Sequence, residues 1–137
     1  MDLIELSEAW VDRAADLWER TGLTRPWNDP HADARKALVS ETSTILAFVQ
    51  GERLIATAMA GDDGHRGWLY YVAVEPTAQS QGIGNRIVQE ATAWLRRRGS
   101  VKVQLMVRTE NDGVINFYEK SGFEHQEVAV LGKRLSP

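Results

Sequence analysis

Between Thr44 and Glu75 the chain carries three runs rich in apolar, β-branched and aromatic residues, separated by turn residues and by no helical segment. Thr44–Gln50 and Arg53–Gly61 meet at Gly51-Glu52, a spacing that predicts a hairpin. The segment Asp62-Asp63-Gly64-His65-Arg66-Gly67 is a second turn, leading into Trp68–Glu75, and Pro76 ends that run. Successive strands joined by short turns pair antiparallel, so the centre of the molecule is expected to be a mainly antiparallel sheet.

Helical signals flank this core. Ser7 is a candidate N-cap ahead of Val11, Ala14, Ala15 and Trp18, which recur at helical spacing until Gly22, and Leu3–Leu6 reads as a short opening strand. Asp29-Pro30 supplies a cap and first-turn pair for a helix through about Val39. Ile83, Ile87, Val88, Ala91, Trp94 and Leu95 form one apolar face of a further helix, with Gly99 as its C-terminal signal. Val101–Val107 reads as a strand, Asn111 opens a short helix stopped by Gly122, and Phe123–Leu135 reads as one or two more strands. The order predicts an α+β fold rather than a doubly wound parallel sheet: a mixed, mostly antiparallel sheet of six to seven strands with about four helices, in one domain spanning residues 1–137.

Composition removes several functional classes. The 137 residues include no cysteine, which rules out disulfides, thiolate nucleophiles and cysteine-ligated metals. A net charge of -3 without a basic patch is unsuited to a nucleic-acid backbone. No apolar run approaches the ~18 residues that a membrane span needs. The opening Met1–Leu6 lacks the basic head and apolar run of a secretion signal, so a cytoplasmic location is expected. Neither a metal nor a nucleic-acid or membrane partner is anticipated.

Gln79-Ser80-Gln81-Gly82-Ile83-Gly84 lies between the strand ending at Glu75 and the helix that follows. Gly82 and Gly84 lack a Cβ and allow a ligand close to the backbone, and the first turn of a helix offers unpaired N–H groups at its positive end. That combination suits a phosphate or pyrophosphate; equally, two glycines permit a tight strand-to-helix turn and nothing more. A Walker-type loop is excluded because no Gly-Lys-Ser/Thr is present, and the dinucleotide pattern lacks its third glycine.

Val72-Ala73-Val74-Glu75-Pro76, then Gln79-x-x-Gly82-x-Gly84, then Asn111, Phe117-Tyr118 and Gly122-Phe123 together resemble the GNAT acyltransferase superfamily over roughly residues 45–125. Within it, Arg25-Pro26-Trp27-Asn28-Asp29-Pro30, Asp63–Gly67 and Leu131–Leu135 resemble a small bacterial subgroup, the YpeA type. The resemblance implies an acetyl-CoA-dependent N-acetyltransferase that acts on a primary amine, of a small molecule or a protein, by direct attack in a ternary complex. It assigns the CoA pyrophosphate to Gln79, Ser80, Gln81, Gly82, Ile83, Gly84 and Asn85, with Ser80 where glycine is common and glutamines at 79 and 81 where basic residues are usual. It lays the pantetheine arm along Val72, Ala73 and Val74 as an added strand, with a backbone N–H facing the thioester oxygen. Asn111 would hold the cofactor, cap its own helix, or do both.

Tyr118 matches the family's general acid, which protonates the departing thiolate; its alternative role is core packing beside Phe117. The base is not marked. An amine with a pKa near 10.4 is only about 0.04% neutral at pH 7, yet Met106 stands where relatives often carry Glu. Glu75, Asp63 and His65 are alternatives, each with an ordinary reading as a strand end, a turn shaper or a surface turn residue. Trp27, Asn28 and Asp29 lie where the family lines its acceptor side, although Trp27 also suits an apolar anchor and Asp29 a helix cap. Arg96-Arg97-Arg98 reads as charge complementing a helix C-terminus. Two other functions remain open: a non-catalytic acyl-CoA sensor or interaction module, and a site for another phosphate-bearing ligand such as a nucleotide. Homodimers are common in the family, but no residue marks an interface.

Overall fold

The computed structural model describes all residues, Met1–Pro137, which gather into two compact units, Met1–Met106 and Val107–Pro137. The first contains the whole sheet, five strands in the spatial order β1-β2-β3-β4-β5. These are β1 (Asp2–Glu5), β2 (Ser43–Gln50), β3 (Arg53–Asp62), β4 (Gly67–Val74) and β5 (Val103–Gln104). β1 through β4 pair antiparallel in chain order, and β5 joins β4 in parallel. The two tight turns form as the spacing predicts, with Gly51 at φ 62° and Gly64 at φ 88°, conformations that favour glycine.

Three helices belong to this unit: α1 (Val11–Arg20), preceded by a 3-10 turn at Glu8–Trp10, α2 (Pro30–Val39) and α3 (Ile83–Arg97). β2 is buried from Thr44 through Val49, which is why Thr-Ile-Leu-Ala-Phe-Val reads as a continuous apolar run rather than an alternation. Ile45, Ala47 and Val49 cluster with Val11, Ala14, Leu17 and Trp18 of α1 and with Ala34 and Ala37 of α2. On the opposite face, the Arg86 guanidinium of α3 lies 4.9 Å over the ring of Phe48. The helices therefore sandwich the sheet, α1 and α2 on one side and α3 on the other.

The second unit holds α4 (Asp112–Lys120), whose N-cap Asn111 accepts the Val114 N–H at 3.4 Å and whose stop, Gly122, has φ 93°. Two expectations fail. Val101–Val107 contributes only Val103–Gln104 to the sheet, leaving Val101 85% exposed. Phe123–Leu135 forms no strand, so the sheet has five strands and not six to seven. The alternation Val128, Val130 is real in the sequence, but β propensity becomes a strand only where a neighbour completes the ladder. Here the backbone makes the local turn bond Val128 N–H to Gln126 carbonyl, and Val128, Val130, Leu131 and Leu135 are exposed.

Candidate active site

β4 supplies the first part of the site. Its ladder with β3 runs from Gly67 to Tyr70, opposite Asp62 to Met59, and resumes at Ala73 opposite Thr57. Two residues, Tyr71 and Val72, thus oppose the single residue Ala58, which is a β-bulge. Tyr71 sits at φ 49°, a left-handed conformation uncommon for a bulky side chain. It is held from three directions: its ring stacks on Trp18 at 3.9 Å, its hydroxyl donates to Asp33 at 2.6 Å, and its carbonyl accepts the Thr57 hydroxyl at 2.8 Å. Burial first, and then the bond to Asp33, raises the Tyr71 phenol above its ordinary pKa, so it remains a donor at working pH.

β5 pairs with β4 only at Gly67 and Trp68, so Leu69–Val74 have no strand neighbour on that side. The Glu75 N–H turns toward β3, donating to the Ile55 carbonyl at 2.8 Å, and alternation sends the Val74 groups to the unpaired side. In agreement, the Val74 carbonyl accepts Gln79 Nε2 at 3.2 Å. Val72, Ala73 and Val74 therefore belong to an edge able to receive an extended ligand.

The chain leaves that edge through a 3-10 turn at Pro76–Ala78 and reaches α3 by two left-handed residues, Ser80 at φ 66° and Gly82 at φ 78°. A Cβ on Gly82 would meet no protein atom within 4 Å, so within the chain itself it is backbone conformation that favours glycine there. The serine at position 80 adopts the same kind of conformation with a side chain present. α3 begins without a side-chain cap, whereas Asp29 caps α2 by accepting the His31 and Ala32 N–H groups at 3.1 Å. The first-turn amides of α3, from Ile83 to Asn85, thus sit at the positive end of a 15-residue helix. Gln79 links the two halves, its side chain on the strand and its backbone in the loop.

Asn111 and Tyr118 lie together on α4 in the second unit, at its cap and near its end. The Tyr118 ring is buried, in edge contact with Phe117 at 5.0 Å and Phe123 at 5.4 Å between centroids. The core packing beside Phe117 that was one of its two readings is therefore present. Burial pushes its phenol up to about 12.

Two of the three candidate bases, Glu75 and Asp63, are committed elsewhere. Glu75 takes Arg20 with both oxygens, Oε1 from Nη1 at 2.9 Å and Oε2 from Nη2 at 2.9 Å. Asp63 Oδ1 accepts the His65 and Arg66 N–H groups, which lowers its pKa and identifies it as a turn shaper. His65 and Met106 are exposed, as is Trp27 at 56%. Arg98 stacks on Trp94 at 4.6 Å and bonds the Glu41 carbonyl, in keeping with a helix-end role. No group of three or more His, Asp or Glu side chains gathers to hold a metal ion.

Thr57, Trp18, Tyr71 and Asp33 were not singled out by sequence reasoning. One signal was available: Thr57 is the only hydroxyl in Leu54-Ile-Ala-Thr-Ala-Met-Ala60, and a hydroxyl buried in such a run must find partners.

Comparison with known proteins gives the following. The model of the acetyltransferase (GNAT) family matches residues 8–123. An aminoglycoside N-acetyltransferase solved in complex with CoA superposes with a TM-score of 0.83 at 15% identity, covering 98% of this chain and 95% of its own. An aminoglycoside 6'-N-acetyltransferase from Acinetobacter haemolyticus gives 0.78 at 17% identity, over 99% of this chain and 100% of its own. A transcriptional regulator from Bacillus halodurans gives 0.80 at 17% identity, over 97% and 99%. Identities this low establish a common fold, which hosts more than one described role.

Proposed function

Because the chain belongs to the GNAT acetyltransferase family, we propose that it uses acetyl-CoA to acetylate a primary amine, on a small molecule or a protein, by direct attack within a ternary complex. The observation that carries this reading is the continuous path from the unpaired edge at Val72–Val74, through Gln79, to the uncapped first turn of α3. The family match runs across both compact units, which supports treating residues 1–137 as one functional domain.

The residues present fit the donor. Backbone amides from Gln79 to Asn85, with helix polarity behind them, suit a pyrophosphate, and Val72–Val74 suit the amide-bearing arm. When bound, acetyl-CoA supplies an acyl group on a good leaving sulfur. A backbone N–H of the Val72–Val74 edge stabilises negative charge on the acyl oxygen as the amine bonds to carbon. Tyr118 gives its proton to sulfur as the carbon–sulfur bond breaks, and Asn111 steadies the helix that carries it. A phenol at about 12 stays protonated through the neutral range, although its burial makes it a weaker acid than an ordinary tyrosine. With Glu75 and Asp63 both engaged, the ammonium proton of the acceptor leaves to solvent before attack, and the second proton, shed by nitrogen as the amide forms, restores the Tyr118 phenol by way of solvent. Aminoglycoside acetylation by two of the structural neighbours supports an amine as the acceptor class.

Calorimetric titration with acetyl-CoA, with ATP and NAD as controls, tests the donor site; acetyl-CoA heat with silent controls is expected, and its absence overturns the reading. A second function is favoured by the engaged carboxylates and by Met106: an acyl-CoA-binding module that performs no transfer. Aminoglycosides, polyamines and lysine peptides assayed for acetylation separate the two, product with any of them excluding the module.

A further inference from the structure

Thr57 lies in the middle of β3 with no exposure to solvent. Its hydroxyl accepts the Trp18 Nε1–H at 2.9 Å and donates to the Tyr71 carbonyl at 2.8 Å. Trp18 is equally buried, so the indole-to-hydroxyl bond is shielded from water, and the bond onward to the carbonyl is partly buried. Such a chain is electrostatically strong in this setting, and each bond polarises the next.

The relay ends on the residue whose backbone most needs holding. Tyr71 occupies the bulge at φ 49°, and its ring and hydroxyl are already fixed by Trp18 and Asp33. What the ring contacts leave undetermined is the rotation of the peptide between Tyr71 and Val72. The Thr57 hydroxyl determines it. No cis peptide is present, and in a trans peptide the carbonyl oxygen and the following N–H point in opposite directions. A Tyr71 carbonyl turned onto Thr57 therefore aims the Val72 N–H away from β3. A valine at 57 would have nearly the volume and β propensity of threonine but would leave the Trp18 N–H and the Tyr71 carbonyl without this partner, so it is the hydrogen bonds that call for the hydroxyl.

We propose that Thr57 and Trp18 are positioning residues for acyl transfer, locking the Tyr71 carbonyl so that the Val72 N–H faces the thioester oxygen of the donor. This rests on the acetyl-CoA reading above and adds to it the residues that preorganise the oxyanion contact. The amine nitrogen bonds to the acyl carbon and an electron pair moves onto the carbonyl oxygen, where the N–H is required. The pair then returns, the carbon–sulfur bond breaks, and sulfur leaves with a proton. Neither Thr57 nor Trp18 touches the reacting atoms.

The test uses acetyl-CoA labelled with 13C at the thioester carbonyl and needs no acceptor. In the wild-type protein the bound carbonyl resonance moves downfield, as a hydrogen bond to the oxygen polarises it. In Thr57→Val it moves less than about half as far, while Thr57→Ser, which keeps the hydroxyl, behaves as wild type. Acetyl-CoA affinity changes less than about threefold across the series, since the loop and α3 hold the pyrophosphate. A simple loss of stability would lower the melting temperature without this pattern. If Thr57→Val does not fold, Trp18→Phe keeps a six-membered ring against Tyr71, removes the N–H together with the rest of the indole, and is expected to reduce the shift in the same direction. An undiminished shift in the variant that folds overturns the proposal. So does a wild-type protein that binds acetyl-CoA without moving the carbonyl, in which case the donor-site reading survives. A wild-type protein that does not bind acetyl-CoA overturns both.

Discussion

Tyr118 illustrates how one side chain serves packing and chemistry with opposite demands. Its contacts with Phe117 and Phe123 exclude water, and that exclusion raises the phenol to about 12. Tyr118→Phe keeps the ring and removes the proton, so kcat for acetyl transfer should fall about 100-fold or more while acetyl-CoA affinity is nearly unchanged. Unchanged turnover would remove Tyr118 as the acid. The same shift has a stability signature. The phenol is favoured in its protonated form when folded, so its contribution is complete below the ordinary value near 10. It is lost as the pH climbs from 10 to about 12, by roughly 3 kcal/mol at 1.36 kcal/mol per unit. Urea unfolding of wild type and Tyr118→Phe at pH 9 and pH 11 checks this: the wild type should lose more stability than the variant over that interval. At this scale the sequence named Gly82 for the close approach it allows a ligand, and the structure adds a conformational reason for glycine there, its positive φ.

At the scale of elements, the legible ones were those whose signal is local. Asp29-Pro30 specifies the start of α2 because a carboxylate accepting two N–H groups and a ring with fixed φ act within three residues. α3 follows from its apolar face, with Ile87, Val88, Ala91 and Leu95 buried as the spacing requires. The bulge in β4 was not legible, because nothing in Tyr-Tyr-Val-Ala distinguishes it from a regular strand. It exists through Thr57, Trp18 and Asp33, 14, 53 and 38 residues from Tyr71 in the chain. Another such contact fixes how closely α3 approaches the sheet. A Cβ on Gly67 would stand 2.8 Å from Leu95 Cδ1, too close for real atoms. Gly67→Ala should therefore cost about 1–3 kcal/mol in urea unfolding, as overpacking does. Combining it with Leu95→Ala, which makes room, should cost less than the sum of the two single changes; full additivity would show that the contact is not the constraint.

For the whole molecule, ligand binding gives the most direct check on function. If the edge of β4 and the start of α3 receive acetyl-CoA only in the folded chain, a concentration 100 times Kd should add about 2.7 kcal/mol of stability. For a chain of this length that raises the melting temperature by roughly 9 °C, and an unchanged midpoint would contradict the donor site. The overall class was open to reading for the same reason that the strand count was not. Hairpin spacing, turn residues and helical periodicity are local, and they settle β2, β3, β4, α2, α3 and α4 to within a residue or two, whereas α1 starts only at Val11, after a 3-10 turn that Ser7 precedes without a side-chain cap bond. Strand formation at Val101–Val107 and Phe123–Leu135 depends on a partner that no local pattern records.

What the sequence by itself determined is thus the antiparallel core, the helix order, the glycine-bearing turn into α3, and the family to which they belong. Tertiary structure alone decided which groups are free to act. It committed Glu75 to Arg20, buried Tyr118, and turned the Tyr71 carbonyl onto Thr57. The physical reason is one of range. Caps, turns and periodicity act over a few residues, whereas burial, ion pairing and peptide orientation are set by neighbours that only folding brings together.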